Sequence, residues 1–119
     1  MRLLVTGGAG FQGSHLVEKW LEAGHEVTVL NTYSERAESA ISRFAGATRV
    51  VWGSVTDKEI VRKTVRGQDV VFHLAARISV DESIADPEST LSVNVMGTLN
   101  ILEAVRQWGA RLVHASTCE

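Results

Sequence analysis

The sequence predicts an α/β fold, a doubly wound parallel sheet with helices on both faces. Short apolar runs of strand length alternate with segments in which apolar residues recur every three or four positions. A glycine-rich turn joins the first run to the first of these segments. Right-handed crossovers and a first turn of this composition favour the strand order 3-2-1-4-5.

Five apolar runs are predicted strands, at residues 2–6, 26–30, 48–52, 69–74 and 111–116. The first run is continuous rather than alternating in hydrophobicity, which indicates a strand buried on both faces. A helix is expected from Phe11, because the apolar residues that follow are three or four apart. Gly24 stands where a helix C-terminal glycine belongs, so the helix should end there.

Two capping boxes predict the starts of the second and third helices. Thr32 is followed three residues later by Glu35, and Thr56 is followed at the same spacing by Glu59. Gly67 is expected to end the third helix. Its predicted buried stripe consists of Ile60, Val61, Thr64 and Val65.

The longest helix is predicted to follow a loop over residues 75–86. Asp86 suits the N-cap, Pro87 suits the first helical position, and Gly109 closes the helix. The apolar residues predicted to line its buried side are Leu91, Val95, Leu99, Leu102 and Val105.

The glycine-rich turn after the first strand satisfies two related patterns. Gly8, Gly10 and Gly13 fit G-x-G-x-x-G, while Gly7, Gly10 and Gly13 fit T-G-x-x-G-x-x-G. Such glycines allow a positive φ, a close approach of a pyrophosphate, and close contact of helix with strand. The helix start offers unpaired N–H groups to that phosphate. A turn kept glycine-rich for steric reasons alone is the alternative, but the strand and helix on either side favour dinucleotide binding.

Composition narrows the classes of partner. The 119 residues suit one domain, and a net charge of −2 without a basic run gives no footprint for nucleic acid or an acidic membrane. The single cysteine, Cys118, fits a reducing compartment, and no apolar run reaches the length of a membrane span. A first strand at residue 2 leaves no room for a leader peptide, so we expect a cytoplasmic protein.

Four motifs in order resemble the extended short-chain dehydrogenase/reductase family of nucleotide-sugar epimerases, dehydratases and decarboxylases. They are the turn at residues 6–13, His73-Leu74-Ala75-Ala76, Asn94-Val95-Met96-Gly97-Thr98, and Ser116-Thr117-Cys118-Glu119. The resemblance implies that residues 1–119 form a Rossmann-like NAD(P)-binding domain. It also implies a nucleotide-sugar substrate, and homodimers joined through helices that include residues 87–107.

The resemblance assigns residues to the cofactor. The backbone of the glycine turn should meet the pyrophosphate, and the segment after the fourth strand should lie along the cofactor, although plain packing also accounts for that segment. Asn94 should support the site from within the long helix; the alternative is a surface or locally bonded side chain. The residues so assigned are Gly7, Gly10, Phe11, Gln12, Gly13, Leu74, Ala75, Ala76 and Asn94.

The adenosine end departs from the family pattern. Asn31 occupies the position where an acid would hold the ribose hydroxyls, and an amide does not repel a 2′-phosphate as a carboxylate would. Arg36 is close enough in sequence to meet such a phosphate, although a solvated helix arginine is an alternative. Ser54 and the backbone of Val55 take the adenine contact. NAD is therefore preferred, with NADP possible.

The last motif and one absence concern catalysis. By the resemblance, Thr117 hydrogen-bonds the sugar oxygen and Glu119 removes a proton beside a transient ketone; a solvated terminal residue is the alternative for Glu119. The family's Tyr-x-x-x-Lys pair and its substrate-binding half do not occur in these residues. The chain alone is therefore expected to bind a dinucleotide and to be inactive.

Three functions remain for comparison. The first is the NAD(P)-binding portion of an epimerase or dehydratase that transiently oxidises sugar C4. The second is a non-catalytic NAD(P) sensor, and the third is a scaffold that has lost useful binding. His73 and His114 lie in predicted buried strands without a further ligand at suitable spacing, so they are expected to be satisfied core histidines, with no metal site.

Overall fold

The computed structural model describes residues 1–116 and places five strands in one parallel sheet. The strands are β1 (Arg2–Thr6), β2 (Glu26–Asn31), β3 (Thr48–Trp52), β4 (Val70–His73) and β5 (Arg111–His114). Their order is β3-β2-β1-β4-β5, which confirms the predicted 3-2-1-4-5 topology. The fourth and fifth strands end one and two residues earlier than predicted.

The register aligns the carboxyl ends of the three central strands. Thr6, the last residue of β1, pairs with Leu30 of β2 on one side and with His73 of β4 on the other. The residues that leave these strands therefore emerge together at one edge of the sheet. In open α/β sheets that edge is where ligands bind.

Helices cover both faces of the sheet, as predicted. They are α1 (Phe11–Glu22), α2 (Glu35–Ile41), α3 (Lys58–Val65), α4 (Val80–Ala85), α5 (Pro87–Leu91) and α6 (Gly97–Trp108). Leu4 of β1 belongs to a core cluster with residues of α3 and α6, whereas the adjacent Val5 belongs to a cluster with Val17 of α1 and Ile41 of α2. Alternate residues of the central strand thus face opposite layers.

Two helix starts differ from the capping boxes predicted for them. Ser34, not Thr32, caps α2, and its Oγ accepts a hydrogen bond from the amide of Ala37 at 3.0 Å. Asp57, not Thr56, caps α3, and its Oδ1 accepts from two amides of the first turn at 3.1 and 3.2 Å. The hydroxyl of Thr56 lies instead 2.7 Å from that of Ser54. In both cases the cap is a strong acceptor closer to the first helical residue.

The predicted long helix is real but interrupted. Asp86 caps α5 through the amide of Ser89 at 3.1 Å, and a π-helical turn at Ser92–Met96 joins α5 to α6. A π turn inserts extra backbone, which rotates the following helix relative to the preceding one. The loop predicted before the long helix contains the short helix α4, capped by Ser79.

The buried side of α6 is not the predicted one. Of the predicted stripe only Val105 is buried; Leu99 and Leu102 of α6 are 44% and 46% exposed. The side facing the sheet consists of Gly97, Ile101, Ala104 and Val105. Small residues allow this close approach, because a Cβ on Gly97 would lie 2.5 Å from Cγ2 of Val55.

No helix formed by residues 1–116 is both long enough and apolar enough to cross a lipid bilayer.

Candidate functional site

An open groove of about 1180 Å³ runs along the carboxyl edge of the sheet. Its walls come from the glycine turn, the ends of β2 and β3, the segment after β4 and the start of the α5 region. Twelve of the thirteen residues predicted to bind a cofactor line it: Gly7, Gly10, Phe11, Gln12, Gly13, Asn31, Arg36, Ser54, Val55, Leu74, Ala75 and Ala76. Five separate chain segments thus contribute to one groove, which is large enough for a dinucleotide-sized ligand.

The glycine turn is folded back on itself. Gly7 has a φ of +73°, and its amide donates to the carbonyl of Leu30 at 2.9 Å. The carbonyl of Gly7 accepts a hydrogen bond from the amide of Gly10 at 3.0 Å. A Cβ on Gly13 would overlap that same carbonyl and would lie 2.8 Å from its carbon atom. Gly13 is therefore required for α1 to sit on the turn.

The start of α1 opens onto the groove. Gly10 is the N-cap in extended conformation and supplies no side-chain cap, and the first turn contains no acidic residue. The first amides of a helix have no intrahelical acceptor and carry a partial positive charge. A Cβ on Gly10 would meet a single atom within 4 Å in the described chain, the oxygen of Gly7 at 3.2 Å. These amides can thus be approached closely by an anion.

Asn31 connects β2 to the glycine turn. Its Oδ1 accepts a hydrogen bond from the amide of Ala9 at 3.2 Å, and its Nδ2 donates to the carbonyl of Thr32 at 2.9 Å. One lone pair of Oδ1 remains for a further donor. Arg36 is exposed in the same wall of the groove. The side chain at position 31 is thus an amide, not the carboxylate that the family pattern has for the ribose hydroxyls.

Ser54 and Val55 form the wall after β3. The Oγ of Ser54 accepts from the amide of Thr56 at 3.1 Å. The side chain of Val55 is buried in the core, and its carbonyl accepts from Nδ2 of Asn100 at 2.9 Å. Since its side chain is buried, Val55 can contribute to the groove wall only by its backbone.

The segment after β4 packs directly on the glycine turn. The amides of Leu74 and Ala75 both donate to Oγ1 of Thr6, each at 3.1 Å. A Cβ on Gly7 would lie 3.0 Å from the amide nitrogen of Ala75. The positive φ of Gly7 and its missing side chain thus allow the two segments to meet.

Asn94 lies outside the groove wall but supports it. It is part of the π turn, and its Oδ1 accepts from the amide of Arg77 at 2.8 Å while its Nδ2 donates to the carbonyl of the same residue at 2.9 Å. Both polar groups of one residue's backbone are thus fixed by a single side chain. This placement agrees with a supporting role and not with direct lining of the groove.

His73 is a satisfied core histidine, as predicted. It is 1% exposed, its Nδ1 lies 2.7 Å from Oγ1 of Thr6, and its Nε2 lies 3.0 Å from Oγ1 of Thr98. Burial, and secondarily the nearby His114, lowers the pKa of His73 to about 4. The prediction for His114 is wrong, because it is exposed on β5, an edge strand of the described sheet, where its ring stacks on His73 with centroids 5.4 Å apart.

Thr6 and Thr98 support the site although no role was predicted for them from the sequence. Thr6 begins the glycine-turn motif and Thr98 ends the motif Asn94-Val95-Met96-Gly97-Thr98, and this membership was their sequence signal. Thr117 and Glu119, the two predicted catalytic residues, lie outside the described residues. Within residues 1–116, no cluster of three or more His, Cys, Asp or Glu side chains could hold a metal ion.

Comparison with known proteins identifies a family and relatives within it. A model of the NAD-dependent epimerase/dehydratase family matches residues 3–119. A dTDP-glucose 4,6-dehydratase from Mycobacterium tuberculosis (strain ATCC 25618 / H37Rv) is 47% identical over 123 residues, which cover 100% of this chain and 37% of that protein. A UDP-N-acetyl-alpha-D-glucosaminuronate decarboxylase from Bacillus cytotoxicus is 36% identical over 99% of this chain and 37% of its own length.

Solved structures agree with this likeness. The UDP-glucose 4-epimerase of Thermus thermophilus, a complex with NAD, superposes with a TM-score of 0.87 and 42% identity over 98% of this chain and 38% of its own. The dTDP-glucose 4,6-dehydratase of Streptomyces venezuelae, with NAD bound, gives a TM-score of 0.87 and 36% identity over 98% of this chain and 39% of its own. The chain thus spans well under half the length of the proteins it matches.

Proposed function

The chain belongs to the NAD-dependent epimerase/dehydratase family, and from that premise we propose that it is the NAD(P)-binding portion of a nucleotide-sugar epimerase or dehydratase. The observation that carries the proposal is the start of α1, where uncapped amides face a groove beside glycines that admit no side chain. The whole enzyme would act by transient oxidation of a sugar at C4. A nucleotide sugar would be its substrate.

The helix start would hold the diphosphate. The amides of Phe11 and Gln12 lie in the first turn of α1, where the partial positive charge of the helix is greatest. Gly10 keeps this position open to the groove, and the exposed ring of Phe11 lies edge-on to His15 of α1, with ring centroids 5.0 Å apart. Backbone amides at a helix start bind phosphate through their orientation and partial positive charge, whichever side chains they carry.

The wall after β2 would hold the adenosine ribose. The free lone pair of Asn31 Oδ1 would accept a hydrogen bond from a ribose hydroxyl, while its bond to Ala9 keeps the amide aimed at the groove. Ser54 and the backbone of Val55 would contact adenine. We propose NAD as the cofactor, since two structural neighbours hold NAD. NADP is the competitor, supported by the exposed Arg36 and the missing carboxylate.

The carboxyl ends of β4 and β5 would face the reacting end of the cofactor. NAD, when bound, supplies a hydride acceptor. The segment after β4 would lie along the cofactor with Leu74, Ala75 and Ala76. Asn94 would hold the next residue, Arg77, in place through its two hydrogen bonds. Thr117 and Glu119 follow β5, whose last residue pairs with His73. We propose that Thr117 orients the sugar oxygen and that Glu119 removes a proton beside the transient ketone.

The sequence of this chain does not supply the family's tyrosine acid/base. Tyr33 is the single tyrosine, and the fourth residue after it is Ala37 rather than lysine. The hydroxyl of Tyr33 donates to Oε2 of Glu38 at 2.7 Å, and this hydrogen bond raises the pKa of Tyr33. We therefore expect the 119 residues to bind the dinucleotide without turning over a sugar.

A second copy of the enzyme is the proposed protein partner. The support is a set of exposed apolar side chains on α5, the π turn and α6: Leu91, Val95, Leu99 and Leu102, between 44% and 61% exposed. Apolar side chains exposed together on neighbouring turns mark interaction surfaces in soluble proteins. A homodimer through these helices would cover them.

Calorimetric titration of the chain with NAD, NADH and NADP tests the proposal. We expect saturable binding of NAD and NADH and weaker binding of NADP. In a parallel fluorescence titration we expect a shift of the tryptophan emission, because Trp52 directly precedes Gly53 of the groove. Absence of saturable binding by the folded chain would overturn the proposal. Binding together with a lack of sugar conversion by the longer enzyme would favour the sensor function instead.

A further inference from the structure

A buried chain of hydrogen bonds runs through His73 from the glycine turn to the π turn. On one side, Nδ1 of His73 lies 2.7 Å from Oγ1 of Thr6. On the other, Nε2 lies 3.0 Å from Oγ1 of Thr98, whose hydroxyl donates to the carbonyl of Asn94 at 2.7 Å. These hydrogen bonds therefore link the glycine turn and the π turn, the two segments that border the groove near β4.

The bonds at Thr6 fix the direction of this chain. Its Oγ1 already accepts from two donors, the amides of Leu74 and Ala75, each at 3.1 Å. A hydroxyl oxygen has two lone pairs and one hydrogen, so that hydrogen is what remains for His73. Thr6 must donate to Nδ1, which must then be unprotonated.

The bonds at the other nitrogen agree with that direction. A neutral imidazole without a hydrogen on Nδ1 carries one on Nε2. Nε2 of His73 therefore donates to Oγ1 of Thr98, and the hydroxyl of Thr98 donates to the carbonyl of Asn94. Thr6, His73 and Thr98 thus each donate one hydrogen bond in the same direction. Burial lowers the pKa of His73 to about 4, which keeps the ring neutral near pH 7.

We propose that His73 is a positioning residue, held as the neutral Nε2–H tautomer so that Thr6 presents both its lone pairs to the amides of Leu74 and Ala75. If Nδ1 carried a hydrogen, Thr6 would have to accept from it and would lose one of those two amides. The amide of Leu74 also donates to the backbone carbonyl of Thr6 at 3.2 Å, whereas the amide of Ala75 depends on Oγ1 of Thr6, so competition at Oγ1 would loosen Ala75 against Gly7. The tautomer rests on the hydrogen-bond geometry and burial of His73 and needs no cofactor; its effect on dinucleotide affinity rests on the proposed function.

The tautomer is tested directly by nitrogen-15 NMR on the cofactor-free chain labelled at histidine. We expect the shifts and two-bond couplings of His73 at pH 7 to show a bare Nδ1 and a protonated Nε2. The opposite tautomer, a mixture of the two, or an imidazolium would overturn the assignment. His114 is exposed on β5 and serves as the internal comparison. This measurement needs no ligand, so it holds even if the chain does not bind NAD.

Two substitutions test the positioning role. In His73→Asn the side-chain oxygen takes the place of the acceptor Nδ1, whereas in His73→Gln the side-chain nitrogen takes the place of the donor Nε2. We expect the Asn variant to keep NAD affinity within about threefold and the Gln variant to lose about tenfold or more. Unchanged near-ultraviolet circular dichroism establishes that each is folded.

The outcomes separate the two proposals. Equal affinities of folded Asn and Gln variants would overturn the positioning role while leaving the proposed function intact. A wild-type chain that shows the expected tautomer but does not bind NAD would contradict the proposed function alone. If neither variant folds, the test is the amide hydrogen-exchange rates of Leu74 and Ala75 in a Thr98→Val variant. Faster exchange than in the wild type supports the positioning role of His73, and unchanged exchange overturns it.

Discussion

The carbonyl of Gly7 occupies the space that a Cβ on Gly13 would need. Such an atom would also lie 2.8 Å from the carbonyl carbon of Gly7 and 2.9 Å from Cα of Gly8. These obstacles are backbone atoms, so Gly13→Ala must displace the whole turn. We expect it to lower the free energy of unfolding by about 1–3 kcal/mol, as overpacking does, measured by urea denaturation. A variant as stable as the wild type would contradict this packing role.

Gly10→Ala is the matched comparison, because the same methyl group is added at the middle glycine of the motif. Its Cβ would meet the oxygen of Gly7 at 3.2 Å, a contact that a small shift relieves. We expect a stability change within about 1 kcal/mol. Since Gly10 lines the groove and is the N-cap of α1, the added methyl group would crowd a diphosphate at the first amides, and NAD affinity should fall by about tenfold or more in calorimetry. Wild-type affinity in this variant would contradict the proposal that the start of α1 binds the diphosphate of NAD.

Asn31 is the residue expected to set the choice between NAD and NADP. In Asn31→Asp the carboxylate would keep accepting from Ala9 but would repel a 2′-phosphate. We expect the ratio of NAD to NADP affinity to rise by about tenfold, which corresponds to about 1.4 kcal/mol. Asn31→Ala is the control, since it removes the hydrogen bonds without adding charge. An unchanged ratio in the Asp variant would mean that the 2′ position does not face this residue.

The fold was predictable because its signals are local. Each strand is a short apolar run, and the turn after β1 carries its glycines in sequence order. The buried side of α6 was not predictable in the same way. A π turn changes the phase of the helix, and the side that packs on the sheet contains Gly97 and Ala104, which a search for large apolar residues passes over.

The site was predictable in outline and not in its supporting bonds. Motifs located the groove walls, but the role of Thr6 depends on a partner 67 positions later, His73, which only the pairing of β1 with β4 brings near. His114 illustrates the reverse error. It stands in an apolar run like the other strands, yet its exposure depends on which strand is at the edge of the described sheet, and no single run encodes that.

The exposed apolar set on α6 predicts an effect on assembly rather than on folding. Leu99 and Leu102 are 44% and 46% exposed, so glutamate there costs the isolated fold little, within about 0.5 kcal/mol for each position. If these residues lie in a homodimer interface, Leu99→Glu with Leu102→Glu should convert the longer protein proposed to contain this chain from dimer to monomer in light scattering. Lys63→Glu, an exposed position on α3, is the control. A dimer that survives the double change would place the interface elsewhere.

His73 predicts a loss of stability in acid. Its pKa is about 4 in the native protein against 6.5 in the unfolded chain, so between those values the unfolded chain binds a proton that the native one does not. The contribution is fully present above pH 6.5 and is lost as the pH falls towards 4. Each pH unit in this window costs about 1.4 kcal/mol at most, or about 3 kcal/mol over the whole window.

Urea unfolding measured at intervals between pH 7 and pH 4 checks this prediction. Carboxylates titrate in the same range, so the informative quantity is the difference between the wild type and His73→Asn, which lacks the titrating ring but shares every other group. We expect the wild type to lose its advantage progressively as the pH falls. His114→Ala should raise the pKa of His73 and make that loss smaller, because His114 is the second cause of the shift. Parallel pH profiles of wild type and His73→Asn would mean that the ring protonates as readily in the folded protein as in the unfolded chain.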